Sequence, residues 1–264
     1  VDSQLLTNRI ANKMIRPTTI PQTLKALKIE QAIAREALRL SFEQHKEFAV
    51  DLKGVQQERT ISDAFEQTAS GGTLVNLFEL DLLVGSGGVL SHAPRRTQAA
   101  RMLMDSFLPE GITQLAVDSI FMMPQLGVLS TVHAKAAVEV FEKDCLIYLG
   151  TCIAPVGIQK KDKPVLKYSI LIDGNDFKGQ ILSGELKRIE VEDGEYEAQF
   201  IPGQNLDIGR GKNEPVKCKV RGGAAGIFLD GRGRSPFIIP NNNSDRINKL
   251  NVWSLESGEY LEIN

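Results

Sequence analysis

Apolar positions change their spacing twice along this chain, and the changes divide it. Behind Thr23, which is placed to cap a helix, Ile29, Ile33, Ala37 and Leu40 recur at helical spacing through "KIEQAIAREALRL". That pattern predicts a helix running to about His45. From about Phe78 to Gly150, short apolar runs ("FELDLLVG", "ITQLAVDSI", "CLIYLG") alternate with helical segments ("RRTQAARMLMDSF", "TVHAKAAVEVFEKD"). Such alternation predicts βαβ units around a buried, partly parallel sheet. Beyond Thr151 the segments are strand-like and separated by Asp-Gly, Gly-Asn and Pro turns, with no helical pattern; a β-rich domain is expected there. Residues 1–22, polar and punctuated by "IRPTTIPQT", read as an extended lead-in. A loop is expected over "DLKGVQQERTISDAFEQ" and the "SGG" at Ser70–Gly72. The expectation is an α+β chain: lead-in 1–22, an α/β lobe 23–152 and a β-rich domain 155–264. In that lobe the strand ending near Val84 should lie inside the sheet, beside the strand ending near Asp118; an edge position would count against it.

Composition narrows the partners. With 31 basic and 33 acidic residues among 264, the net charge is −2, so no global field attracts nucleic acid or an anionic membrane. Cys145, Cys152 and Cys218 form no C-x-x-C pair, which fits buried thiols in a reducing, cytoplasmic compartment. No apolar run reaches the length of a membrane span, and Val1 in place of Met suggests a piece of something longer. His45 and His133 are not at metal-ligand spacing, so no metal site is expected. The run "QKKDK" at Gln159–Lys163 reads as a solvated junction, and Met102, Met104, Met122 and Met123 as core filling.

The candidate chemistry sits where "LLVGSGG" ends a strand and opens toward a helix. Such a turn offers free backbone N–H groups and a partial positive charge to a phosphate or ribose. Gly85, Ser86, Gly87 and Gly88 are therefore candidate nucleotide contacts, against the alternative of a tight corner packing helix on sheet. The spacing matches neither G-x-G-x-x-G nor a G-K-[ST] loop. Asp118, at the end of "LAVD", should lie at the same end of the sheet, as a ligand contact or as a cap for the next turn. His92 reads as a local hydrogen bonder, and Arg95 and Arg96 as a solvated first helical turn. Farther on, "VRGGAAGIFLDGRGRSPFIIP" gathers five glycines and three arginines. Arg232 and Arg234 are expected there on an exposed loop, as contacts to a partner or as simple hairpin chemistry.

"LVGSGG" after a strand resembles the adenosine-contacting turn of the actin, sugar kinase and Hsp70 superfamily. "IRPT", "IEQAIAREALRLSFEQH", "DLLVGSGGVLSHAP", "AVDSIFMMPQLGVLSTVHAKAAVEVF" and "VRGGAAGIFLDGRGRSPFIIP", in that order, resemble the C-terminal half of the glutamate mutase MutL-type proteins. The resemblance runs from about Ile15 to Tyr260 and implies part of an ATPase-like chaperone, one that reactivates an adenosylcobalamin-dependent mutase or aminomutase. It implies ATP or ADP with magnesium in the longer protein, mutase subunits and an N-terminal ATPase half as partners, and no corrinoid bound here, since D-x-H-x-x-G is absent. The family's Asp-x-Gly-Gly phosphate signatures are also absent, and "LDIGRG" at Leu206–Gly211 lacks the second adjacent glycine. The chain is therefore expected to supply the adenosine side of a cleft and no catalytic residue. The rivals are a fragment of a small-molecule kinase of the same superfamily and a scaffold whose glycine turn is purely structural.

Overall fold

A computed structural model describes residues 3–49, 74–234 and 236–260; the loop expected at residues 51–67 and the Ser70–Gly72 stretch lie outside them. The elements in order are α1 (Ser3–Ile15), α2 (Leu24–Phe48), a 3-10 turn (Leu77–Glu79), β1 (Leu82–Gly85), the one-turn α3 (Gly88–Ser91), α4 (Arg96–Phe107), β2 (Gly111–Asp118), α5 (Met123–Val140), a π-helical turn (Phe141–Cys145), β3 (Leu146–Ala154), β4 (Pro164–Ile172), β5 (Asn175–Leu182), β6 (Leu186–Ile189), β7 (Glu195–Pro202), β8 (Val216–Arg221), β9 (Ile227–Asp230) and α6 (Asn243–Glu256). The fold is α+β, in three layers. Helices α2 to α4 cover one face of a mixed five-stranded sheet, ordered β1-β2-β3-β9-β6, and an antiparallel sheet ordered β5-β4-β7-β8 packs on the other.

Period-two alternation shows how the middle layer is held. Cys152 and Phe228 enter the helix-side core with Leu103, Leu115 and Leu149, while Ile153, Ile227 and Leu229 enter the sheet-side core with Leu166, Ile170 and Phe200. Both faces of β3 and β9 are thus buried, which is why these strands read as unbroken apolar runs. Helix α4 lies between α2 and the sheet, so even Thr97, Gln98 and Arg101 are buried, and each must find a partner there.

The structure corrects several expectations. Ser3–Ile15 is a helix; the prolines that suggested an extended lead-in only end it, since Pro17 disfavours helical geometry at the residue before it. Thr23 caps α2 as expected, its hydroxyl accepting the Ala26 N–H at 3.2 Å. The face that α2 buries is different, with Gln31, Ala34 and Leu38 turned inward while Leu40 is exposed. Near the end of the chain α6 forms where no helix was expected, Asn242 capping it by accepting from Ser244 and Asp245. Its only buried side chain is Trp253; Ile247 and Leu250, about two turns and one turn before it, are exposed. Strands β6 and β9 belong to the same sheet as β1 to β3, so the mixed sheet crosses the boundary expected near Pro155. Finally, β1 pairs in parallel with β2, Gly85 opposite Val117, but among the described residues it is an edge strand. The interior position expected of it does not hold.

Candidate functional site

The parallel pair β1 and β2, linked through α4, brings the glycine turn and Asp118 to one end of the sheet. Each glycine has its own reason. A Cβ on Gly85 would lie 2.9 Å from a Leu90 methyl and 3.0 Å from a Leu103 methyl, so this glycine lets helix and strand pack closely. Gly87 has φ +101°, a conformation that side chains resist. Added Cβ atoms on Gly87 and Gly88 would meet nothing within 4 Å. The outer half of the turn therefore leaves its backbone open to an approaching group.

Ser86 donates its hydroxyl to the Asp118 carboxylate at 3.5 Å. Asp118 is fully buried and accepts the N–H groups of Met123 at 3.0 Å and Ile120 at 3.3 Å. Burial works against its charge, but these N–H donors outweigh burial and hold the carboxyl below the usual carboxylate range. Ser91 donates to the Asp118 carbonyl oxygen. Sequence reasoning thus places the two segments together correctly, and Asp118 itself caps the turn that launches α5. Arg96 donates to the Ser91 carbonyl oxygen at 2.7 Å, which ties it to the turn, while Arg95 and His92 are exposed.

Arg232 and Arg234 are not on an exposed loop; both are buried. Arg232 grips Asp230 with two nitrogens at 2.9 and 2.7 Å and reaches Asp105 at 2.5 Å. Arg234 donates to Asp230 at 2.8 Å and to the Pro109 carbonyl oxygen at 2.9 Å. Asp105 also takes Arg101 at 2.9 Å and Arg35 at 3.4 Å, and Arg35 continues to Glu259. Phe237 and Trp253 place their rings 5.2 and 5.3 Å from the Arg232 guanidinium. Burial opposes the charge of both Asp105 and Asp230, yet the surrounding arginines win and hold both carboxyls far below the usual range. Burial pulls Arg101 down to about 10, with Asp105 the main offset, so it stays charged at neutral pH. Four arginines and three carboxylates from α2, α4, the β9 end and the C-terminal segment form one staple. Its role is structural, and it rules out these two arginines as free partner contacts.

The glycines of the same stretch have the same meaning. A Cβ on Gly223 would lie 2.6 Å from the Tyr148 carbonyl oxygen, and one on Gly150 would lie 1.7 Å from that of Gly226. The close approach is by this chain to itself. A groove of about 760 Å³ lies beside this crossing, lined by Tyr148, Arg188, Asp193 and Arg221. Its arginines are committed: Arg221 pairs with Asp193 at 2.8 and 3.1 Å and stacks 3.5 Å over Tyr148, and Arg188 pairs with Glu190 at 3.3 Å. Sequence reasoning misses both the groove and the staple, since no local spacing joins Arg35, Asp105, Asp230 and Glu259.

Among the described residues no group of three or more His, Cys, Asp or Glu is placed to hold a metal, and no helix is long and apolar enough to cross a membrane. No curated protein and no solved structure matches the chain. The model of the MutL protein family matches residues 1–145, from α1 through the glycine turn, Asp118 and α5. By that match over more than half its length, the chain belongs to the family of MutL proteins, of the glutamate mutase type.

Proposed function

We propose that this chain is part of an ATPase-like chaperone that reactivates an adenosylcobalamin-dependent amino-acid mutase or aminomutase, and that its glycine turn contacts the adenosine of ATP or ADP. Family membership supports the association with glutamate mutase subunits. The observation that carries the nucleotide contact is the turn itself: Gly87 and Gly88 expose unobstructed backbone at the C-terminal ends of two parallel strands, where open sheets with parallel strands place their ligands. Phosphate and magnesium contacts fall to a partner lobe or chain in this reading, and the chain alone hydrolyses little or nothing.

Calorimetric titration of Mg-ATP and Mg-ADP tests the contact, with Gly88→Val as the decisive variant. Gly88 has no positive φ and open space at its Cβ, so valine blocks the approach without straining the turn. Binding by the parent chain and at least a tenfold loss in the variant, about 1.4 kcal/mol, is the expected result. Equal binding by both would reject the turn as the contact. A second reading, a scaffold whose turn is only a corner, is favoured by the full engagement of Asp118 and the edge position of β1; absence of nucleotide binding even beside a partner lobe would select it.

A further inference from the structure

Helix α5 is two helices with a histidine at the joint. His133 has φ −149° and ψ +73°, outside helical geometry, although regular helix runs on either side of it. Its ring nitrogen Nδ1 accepts the Ala136 N–H at 3.1 Å. A residue of non-helical backbone whose side chain accepts the N–H three positions on is an N-cap, so residues 134–140 start as a new helix. The turn before the joint is weakened as well. Ser130 donates to the Gly127 carbonyl oxygen at 2.7 Å and Thr131 to that of Val128 at 2.8 Å, and such bonds back to the preceding turn bend helices and destabilise them slightly. Leu126, from the first half, and Ala137, from the second, are buried in one cluster with Cys145. Both halves are thus anchored, while Thr131 to Lys135 between them are exposed. The joint depends on its cap.

Imidazole is an unusual cap, because its acceptor is also its base. The common caps Ser, Thr and Asn accept at any physiological pH. A histidine ring accepts at Nδ1 only while that nitrogen carries no proton, and histidine is the side chain whose charge ordinarily changes between about pH 5 and 8. Protonation turns the acceptor into a donor facing a donor, and it sets a positive charge at the positive end of the second half. The surrounding charges do not offset this. Lys135 and Glu139 of the same half pair with each other at 4.0 Å. Glu142, Lys143 and Asp144 lie on the π-helical turn that packs against α5, and Asp118 caps the far end of the first half. Among the described residues no carboxylate is paired with His133.

We infer that the joint of α5 is a proton-sensitive hinge: neutral His133 holds the two halves at a fixed angle, and the imidazolium lets residues 130–136 fray. Nitrogen-15 NMR of the chain from about pH 8 to about pH 5 tests this, with His133→Asn as the decisive variant, since asparagine caps at least as well and does not titrate. In the parent chain the Ala136 amide signal should move with the same midpoint as the His133 ring. Its hydrogen-exchange rate, taken relative to the intrinsic rate at each pH, should rise at least about fivefold from the neutral to the protonated form, the factor that a typical cap is worth. His133→Asn should hold both the signal and the relative rate constant over the same range. An Ala136 amide that ignores the titration of the ring overturns the inference, as does one that titrates equally in His133→Asn.

Discussion

Two glycine-rich stretches look alike in the sequence and do opposite things in space. At Gly85–Gly88 the glycines end a strand that lies at an edge among the described residues, and a Cβ added to either of the outer two would meet nothing within 4 Å. At Gly222–Gly233 they let β3, the end of β6 and the approach to β9 cross at backbone contact, and the arginines beside them are sealed inside a charged staple. One stretch is open to a visitor, and the other is filled by its own chain. A glycine marks a close approach, but only the neighbours decide whether the approaching group is a ligand or the protein itself.

That contrast can be broken or sharpened by experiment. Asp230→Ala should have the largest effect, because it strands Arg232 and Arg234 as buried charges; a loss of about 3–5 kcal/mol is expected in urea denaturation. An unchanged midpoint would mean that the staple is not closed in solution. Gly150→Ala comes next. Its added methyl would overlap the Gly226 carbonyl oxygen at a φ of +134°, which should cost about 2–4 kcal/mol by the same measurement.

Acid titration probes the staple without mutation. Asp105 and Asp230 titrate below their unfolded values, so the stability they contribute is fully present above those values and is lost as pH falls through the lower folded ones. The denaturation midpoint should hold from neutral pH down to about 4 and drop below it; Asp105→Asn should flatten that drop. The smallest effect belongs to the open turn, where Gly88→Ala should shift stability by no more than about 0.5 kcal/mol. A loss as large as that of Gly150→Ala would show that the turn is packed against something and is not open.

Much of the fold and part of the candidate site are legible in the order of the residues. Thr23 as a cap, the βαβ reading of residues 82–118 and the meeting of the glycine turn, through Ser86, with Asp118 follow from local spacing and from strand-helix alternation. Helix α1 is hidden by Pro17 and Pro21, which signal extended chain although proline stops only what precedes it. Helix α6 carries Ile247, Leu250 and Trp253 at helical spacing behind Asn242, a pattern that the strand-like reading of this region passes over; only Trp253 is buried, its indole N–H donating to the Gly184 carbonyl oxygen at 2.8 Å.

The sequence by itself determined the α+β class, the existence of the glycine turn and the family to which the chain belongs, because each is written in neighbouring residues or in their order. The tertiary structure alone decided that β1 lies at an edge among the described residues, that Asp118 is spent on capping, that Arg232 and Arg234 face inward and that α5 faces out. Burial and charge pairing join residues as distant as Arg35 and Glu259, and local spacing carries no record of which distant group will neutralise which.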